Sequence, residues 1–167
     1  VMIGAVMGER SGWILVDLDP KNNPAIYDEV DELGGLPMDA ASERTPSGGR
    51  HYFLRWTPEL AWIGNWNGKI WNGLDIKTTD GYAVVAPSQR TRSSRSKSNW
   101  VVGQYQWLTH AFERALELPD WVVERCRAYA DRHTESDSSE PQRPQRERHD
   151  RYAEMWAEAA LRDELAK

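Results

Sequence analysis

Cysteine and long apolar runs are scarce in this chain of 167 residues. The single cysteine, Cys126, excludes an internal disulfide and any zinc site built from several cysteines. No apolar run approaches the ~20 residues that a membrane-spanning helix needs. We therefore expect a protein of the reducing cytoplasm that has no membrane partner.

Three signatures of common enzyme classes are also missing. There is no Gly-x-x-x-x-Gly-Lys-Ser/Thr loop for P-loop ATP hydrolysis, no Gly-x-Ser-x-Gly elbow for acyl transfer, and no Gly-x-Gly-x-x-Gly dinucleotide fingerprint. An excess of basic residues is missing as well, because 21 basic residues stand against 26 acidic ones. Any contact with nucleic acid therefore requires a local basic patch.

The patterns that are present predict a mixed α/β fold. Residues 13–18 form a short apolar run that is typical of a buried strand. Asn23 and Pro24 then resemble a helix N-cap followed by proline at the first helical position, and the glycine pair 34–35 predicts the helix end.

Further strands and helices follow along the chain. Residues 50–56 alternate so that His51, Phe53 and Arg55 share one side of a strand. We predict strands at 73–78 and 81–87 joined by a hairpin turn at Asp80-Gly81, and a short strand at 104–107. From residue 108 the spacing of Leu108, Phe112, Ala115 and Leu116 predicts a helix, and Pro119-Asp120 begins another that runs to about Asp131.

Aspartates near strand ends are the first candidate site. Asp17 and Asp19 share one strand face about 6.6 Å apart along the chain, and Asp75 lies in another predicted strand. Such carboxylates suit Mg²⁺ or Mn²⁺. Other interpretations of an Asp-x-Asp pattern are a solvated strand end, a helix cap, a glycosyltransferase and a haloacid-dehalogenase-type phosphatase.

A glycine-rich turn is the second candidate site. Ser47, Gly48 and Gly49 precede a strand and can point successive backbone N–H groups into one anion-binding concavity, to which Arg50 and His51 add donors. The alternative is a simple turn between two elements.

Basic residues supply two further predictions. Lys77 shares its strand face with Asp75, so it either neutralises that carboxylate or contacts phosphate. Residues 89–97 contain no acidic residue and form a predicted loop, which binds template phosphates or is simply solvated. The basic residues of that loop are Arg90, Arg92, Arg95 and Lys97.

Several of these segments, in this order, resemble the bifunctional DNA primase/polymerase (prim-pol) domain of the archaeo-eukaryotic primase superfamily. The similarity runs from Ile3 to about Val123. The matching segments are IGAVMG at 3–8, SG at 11–12, VDLD at 16–19, TPSGGRHYF at 45–53, GLDIK at 73–77, GYAVVAPS at 81–88 and LPDW at 118–121.

The resemblance implies a template-dependent DNA primase/polymerase with an α/β core that includes an RRM-like sheet. It implies that Asp17, Asp19 and Asp75 hold catalytic Mg²⁺ or Mn²⁺ and that Ser47 and His51 bind the phosphates of an NTP or dNTP. It also implies a single-stranded DNA template, a helicase partner, and a phage or mobile element in the cytoplasm of a bacterial host cell. A non-catalytic nucleotide- or DNA-binding module of the same fold is the second interpretation, and an Asp-x-Asp glycosyltransferase is the third.

Composition divides the chain into three parts. Residues 1–132 are the predicted catalytic domain, from which we expect the family's N-terminal helix and strand to be missing. Residues 133–148 are rich in Ser, Glu, Gln, Pro and Arg and are a predicted flexible linker. Residues 149–167 regain helical periodicity and resemble the start of a helical segment that leads to a helicase.

Overall fold

The structure is a computed structural model and describes residues 2–92 and 101–134. Within these residues it contains ten strands and two α-helices. The strands are β1 (Ile3–Val6), β2 (Trp13–Leu18), β3 (Ala41–Arg44), β4 (Arg50–Arg55), β5 (Trp66–Trp71), β6 (Leu74–Lys77), β7 (Tyr82–Val85), β8 (Gln89–Arg90), β9 (Gly103–Gln104) and β10 (Gln106–Thr109). The helices are α1 (Ile26–Glu32) and α2 (Asp120–Thr134), with 3-10 turns at Pro58–Leu60 and Phe112–Arg114.

A six-stranded sheet organises the fold. Its strand order is β10-β3-β4-β2-β6-β5, and every neighbouring pair is antiparallel. β1 and β7 pair as a separate two-stranded ribbon, and β8 pairs with β9. β2 lies inside the sheet between β4 and β6, which explains why its sequence is almost entirely apolar.

One face of the sheet packs against the helices. Ile14, Val16 and Leu18 of β2 point to this face and are almost completely buried. Ile26 of α1 and Val122 of α2 belong to the same core cluster. Each such side chain contributes about 1.5–3 kcal/mol when it is fully buried.

The other face is apolar at one end and polar at the other. Leu15 and Phe53 pack against apolar side chains of the β1–β7 ribbon, such as Val85. Two residues further along the same strands, the same face carries Asp17 and His51. The candidate site therefore lies on the ribbon side of the sheet, beside this second core.

Several sequence predictions are confirmed. The strand at 13–18, the alternation within 50–56 and the helix beginning at Asp120 are all present. The helix predicted after Asn23 is also present, but its N-cap is Ala25, and Asn23 instead accepts a hydrogen bond from the Ala25 N–H through Oδ1.

The predicted hairpin between 73–78 and 81–87 is wrong. β6 pairs with β2 and β5, whereas β7 pairs with β1. Asp80 does form a turn, with a φ of 60°, but the turn carries the chain from one sheet to another. A local Asp-Gly signal indicates a turn and leaves the partners of the flanking strands open.

The helix predicted from residue 108 is also wrong. Leu108 lies in β10, which pairs with β3 and extends the sheet, and a single 3-10 turn follows. Trp107 and Phe112 pack around Phe53 with ring centroids 5.5 Å away in both cases. Of the residues in the predicted spacing, Phe112 joins this aromatic packing, Leu108 is exposed and Leu116 packs against the helix-side core, so they do not share one helix face.

The predicted linker and C-terminal helical segment fall almost entirely outside the described residues. Of these two segments the structure describes only residues 133 and 134, which end α2. In the part of the chain that is described, neither helix has the length and apolar character needed to cross a bilayer.

Candidate active site

Four polar residues form a row across neighbouring strands. Glu43 of β3 is paired with His51 of β4, His51 with Asp17 of β2, and Asp17 with Asp75 of β6. Because direct partners in an antiparallel sheet project from the same face, these four side chains stand side by side. The His51 imidazole thus lies between the carboxylates of Glu43 and Asp17. The Asp75 carboxylate lies on the other side of Asp17.

His51 is the buried centre of this row. Its Nδ1 lies 2.7 Å from Oε1 of Glu43, and its Nε2 lies 3.4 Å from Oδ2 of Asp17. Burial acts to lower the pKa of His51, but its hydrogen bonds and charge interactions with Asp17 and Glu43 outweigh burial and raise that pKa to about 9. The imidazole is therefore positively charged near neutral pH and balances part of the acidic charge of the row.

Asp75 is the carboxylate on the other side of Asp17. Burial raises the pKa of Asp75, and the negative charge of Asp17 raises it further, while Lys77 acts in the opposite direction. The Nζ of Lys77 donates a hydrogen bond to Oδ1 of Asn67. Lys77 therefore acts on Asp75 through its charge, while its hydrogen bond goes to the Asn67 side chain.

Asp19 lies just beyond the end of β2. Its Oδ1 accepts a hydrogen bond of 3.0 Å from the Lys21 backbone N–H, and its Oδ2 accepts one of 3.2 Å from the Asn22 side chain. The Asp19 N–H donates to the carbonyl oxygen of Gly73. These bonds fix the turn after β2 and hold the carboxylate at the end of the strand.

The glycine-rich turn is closely packed. A Cβ at Gly49 would lie 2.6 Å from the carbonyl oxygen of Leu18, so only glycine fits there. The N–H of Gly48 donates to the carbonyl oxygen of Thr45, and the N–H of Gly49 donates to Thr45 Oγ1. The predicted anion site made of these N–H groups is therefore not observed, because the turn itself uses both donors.

A cavity of about 250 Å³ opens beside the row. It brings together two carboxylates, hydroxyl groups and cationic side chains within one concave surface. Its lining residues are Asp17, Asp19, Lys21, Thr45, Ser47, His51, Arg90, Val101 and Tyr105. Of the residues predicted from the sequence, Asp17, Asp19, Ser47, His51 and Arg90 thus meet at one site.

A family-level comparison agrees with the order of the segments along the chain. The family model described as bifunctional DNA primase/polymerase, N-terminal (Prim-Pol), matches residues 2–121. The chain belongs to the Prim-Pol family. Membership implies a nucleotidyltransferase of the DNA primase/polymerase type, and such enzymes generally use divalent metals. A search of curated proteins found no match to the chain.

The donor set of this Prim-Pol domain fits a magnesium-like cation that is shared with a substrate. Within residues 2–92 and 101–134, no three His, Cys, Asp or Glu side chains are grouped closely enough to form a complete protein ligand set. Mg²⁺ is usually bound by one or two carboxylates together with substrate phosphates and water. Asp17 and Asp19 line the cavity and are the carboxylates that would serve in this way, while Asp75 stands next to Asp17 outside the lining.

The predicted basic residues differ in where they lie. Arg50 projects to the helix-side face, where its Nη1 donates a hydrogen bond of 3.0 Å to the Tyr52 hydroxyl. Arg90 belongs to β8 rather than to a loop and lines the cavity, whereas Arg92 is exposed outside it. The remaining two predicted DNA contacts, Arg95 and Lys97, lie outside the described residues.

Sequence reasoning did not assign Glu43, Lys21, Thr45 or Tyr105 to the site. Lys21 is the one basic residue among eight acids in residues 13–43, which was a usable signal. Thr45 belongs to the family-like segment 45–53. Its role in the turn comes from hydrogen bonds of its hydroxyl with Ser47 and Gly49, which the sequence does not reveal. Glu43 reaches the site only because β3 pairs with β4.

Proposed function

We propose that this Prim-Pol domain is a template-dependent DNA primase/polymerase that adds a nucleotide from an NTP or dNTP to a 3′-hydroxyl. The observation that carries the proposal is the cavity in which Asp17 and Asp19 meet the cationic groups of Lys21, His51 and Arg90. A nucleoside triphosphate accompanied by divalent cations has the matching combination of charges.

The protein groups would divide the work as follows. Asp17 and Asp19 would hold Mg²⁺ or Mn²⁺, and Asp75 would add negative charge beside Asp17. Ser47, His51 and Arg90 would donate hydrogen bonds to the phosphates and orient them. These assignments are supported by the shared face of the row and by the cavity lining.

The reaction would form a bond between the 3′-oxygen and the α-phosphorus and break the bond from the α-phosphorus to the bridging oxygen. Pyrophosphate carries away that electron pair, and the 3′-hydroxyl proton passes to water. A pair of bound divalent cations would supply Lewis-acid stabilisation of the attacking and leaving oxygens. The cationic side chains would stabilise the charge that develops on the leaving group.

Template-directed incorporation tests this proposal. On a single-stranded oligo(dT) template with Mg²⁺ or Mn²⁺, we expect the chain to incorporate labelled adenine nucleotides and to exclude the other three. On oligo(dC) the preference should change to guanine nucleotides, and reactions without template provide the control. Incorporation that ignores the template base would contradict the proposal.

A non-catalytic nucleotide- or DNA-binding module is the second candidate. Such a module would bind nucleoside triphosphates in the presence of Mn²⁺ and yield no pyrophosphate. Family membership argues against the glycosyltransferase alternative.

The biological setting is also a proposal. We infer a role in DNA replication of a phage or mobile element in a bacterial cytoplasm, together with a helicase. Support comes from the primase-type segments and family membership. The RRM-like core is supported by the order β3-β4-β2-β6, which places the first strand of the group beside the third and fourth, as in RRM sheets.

A further inference from the structure

We propose that Glu43 is a positioning residue that fixes the imidazole of His51, with Nδ1–H donated to Glu43 and Nε2 directed toward Asp17 and the cavity. The proposal deepens the proposed function, because it assumes that His51 contacts the incoming nucleotide. Glu43 itself does not line the cavity and therefore acts only through His51.

Glu43 is a completely buried carboxylate whose two oxygens both have partners. Oε1 lies 2.7 Å from Nδ1 of His51, and Oε2 accepts a hydrogen bond of 2.7 Å from the backbone N–H of Ala86. Ala86 follows β7, so the second bond connects the ribbon side of the molecule to the carboxylate. Both oxygens of the carboxylate are thus held in place, and the carboxylate in turn fixes the His51 ring.

A purely structural role does not account well for this carboxylate. Burying a charged pair costs several kcal/mol per ion, and well-packed apolar side chains at such positions are often equally or more stable. The backbone of Glu43 is already paired, because β3 lies between β10 and β4. The gain from the glutamate is therefore the fixed orientation of His51.

When Nδ1 of His51 carries a proton, the two donors that face Glu43 require a carboxylate. The backbone N–H of Ala86 can only donate, so Oε2 must accept. If Nδ1 of His51 also carries a proton, Oε1 must accept as well, and a carboxylate meets both demands. A glutamine has one accepting oxygen, so if that oxygen keeps the Ala86 bond its amide N–H faces Nδ1, and the ring must give up its Nδ1 proton or lose the contact.

The key variant is Glu43→Gln, which keeps the shape of the side chain and removes one acceptor. Ser42→Ala is the matched control, because Ser42 is a buried polar residue on the same strand whose side chain points to the opposite face. Both variants are made in the full chain and compared with wild type for melting temperature, nucleotide KM and kcat.

The decisive readout is ¹⁵N NMR of the imidazole nitrogens in the metal-free chain. The chain has four histidines, and a His51→Gln spectrum assigns the signals of His51. We expect a protonated Nδ1 in wild type and in Ser42→Ala, and an altered Nδ1 signal in Glu43→Gln. We also expect Glu43→Gln to raise the nucleotide KM by about tenfold, as loss of a supporting hydrogen bond does at comparable sites.

Two results would overturn the proposal. The first is an unprotonated Nδ1 in wild type, which does not depend on Glu43→Gln and remains decisive if that variant fails to fold. The second is a Glu43→Gln variant with wild-type ¹⁵N shifts and KM and only a lower melting temperature. If the chain makes no product but its Nδ1 proton depends on Glu43, positioning is supported and the polymerase proposal fails.

Discussion

Replacing Asp75 by asparagine should make the metal-free protein more stable. Asp75 and Asp17 are direct partners on neighbouring strands, where Cβ atoms lie about 5 Å apart. Two unit charges at that distance repel by about 3 kcal/mol at an effective dielectric constant of about 20. Both side chains are partly open to solvent, which leaves about 1 kcal/mol of expected relief.

The variant also loses the attraction between Asp75 and Lys77, which affects the Asp75 carboxylate less than the repulsion from Asp17 does. Asp75 accepts a hydrogen bond from the Gly68 backbone, and the asparagine oxygen can accept the same bond. A gain of about 1 kcal/mol corresponds to a rise in melting temperature of about 2–4 °C for a chain of this size. Thermal unfolding in EDTA, followed by circular dichroism, measures this difference.

Divalent cations should reverse the order of stability. A cation present at ten times its dissociation constant stabilises wild type by about 1.4 kcal/mol. Asp75→Asn should respond less to Mn²⁺, because the site has lost negative charge beside Asp17. Asp28→Asn is the control, since Asp28 is exposed in the first turn of α1 and should lose a few tenths of a kcal/mol with an unchanged Mn²⁺ response. An Asp75→Asn protein that melts below wild type in EDTA, or responds equally to Mn²⁺, would refute this reasoning.

Three further predictions concern neighbouring parts of the site. Gly49→Ala should cost about 2–3 kcal/mol in urea unfolding, because its Cβ would overlap the backbone oxygen of Leu18, and a neutral result would contradict that close contact. In the metal-free protein, the pKa of His51 is raised, so the stability it contributes over His51→Gln should be complete below pH 6.5 and disappear as the pH rises through about 9. That contribution is about 3 kcal/mol at most, and a difference that grows with pH would be inconsistent with a charged imidazole. Arg90→Ala should weaken nucleotide binding by about tenfold in a fluorescence titration, while Arg92→Ala should leave it unchanged. Equal effects of the two variants would contradict a contact between Arg90 and the nucleotide.

The sequence predicts the centre of the fold well because the signals there are local. The apolar run at 13–18 and the alternation around His51 each describe one strand, and both are present. The two strands then pair so that Asp17 faces His51. Strand periodicity predicts which side chains share a face, and the pairing of β2 with β4, which the sequence did not predict, brings these two residues together.

The errors come from contacts between residues that are distant in the chain. β7 pairs with β1, whose residues precede it by about eighty positions, and no turn signal encodes that choice. Glu43 stands in a short polar segment that resembles an exposed turn, yet strand pairing on both sides buries it completely. The basic neighbours of Arg90 dominate the local composition and predict a loop, whereas Arg90 pairs with Gly103 in a short strand.

Primer extension on single-stranded DNA with Mn²⁺ or Mg²⁺ tests the central claim most directly, when wild type is compared with the double variant Asp17→Asn/Asp19→Asn. The claim is that carboxylates at the end of β2 hold the divalent cations for nucleotidyl transfer. We predict template-dependent product from wild type and none from a folded double variant. Synthesis by the double variant at the wild-type rate would contradict the claim.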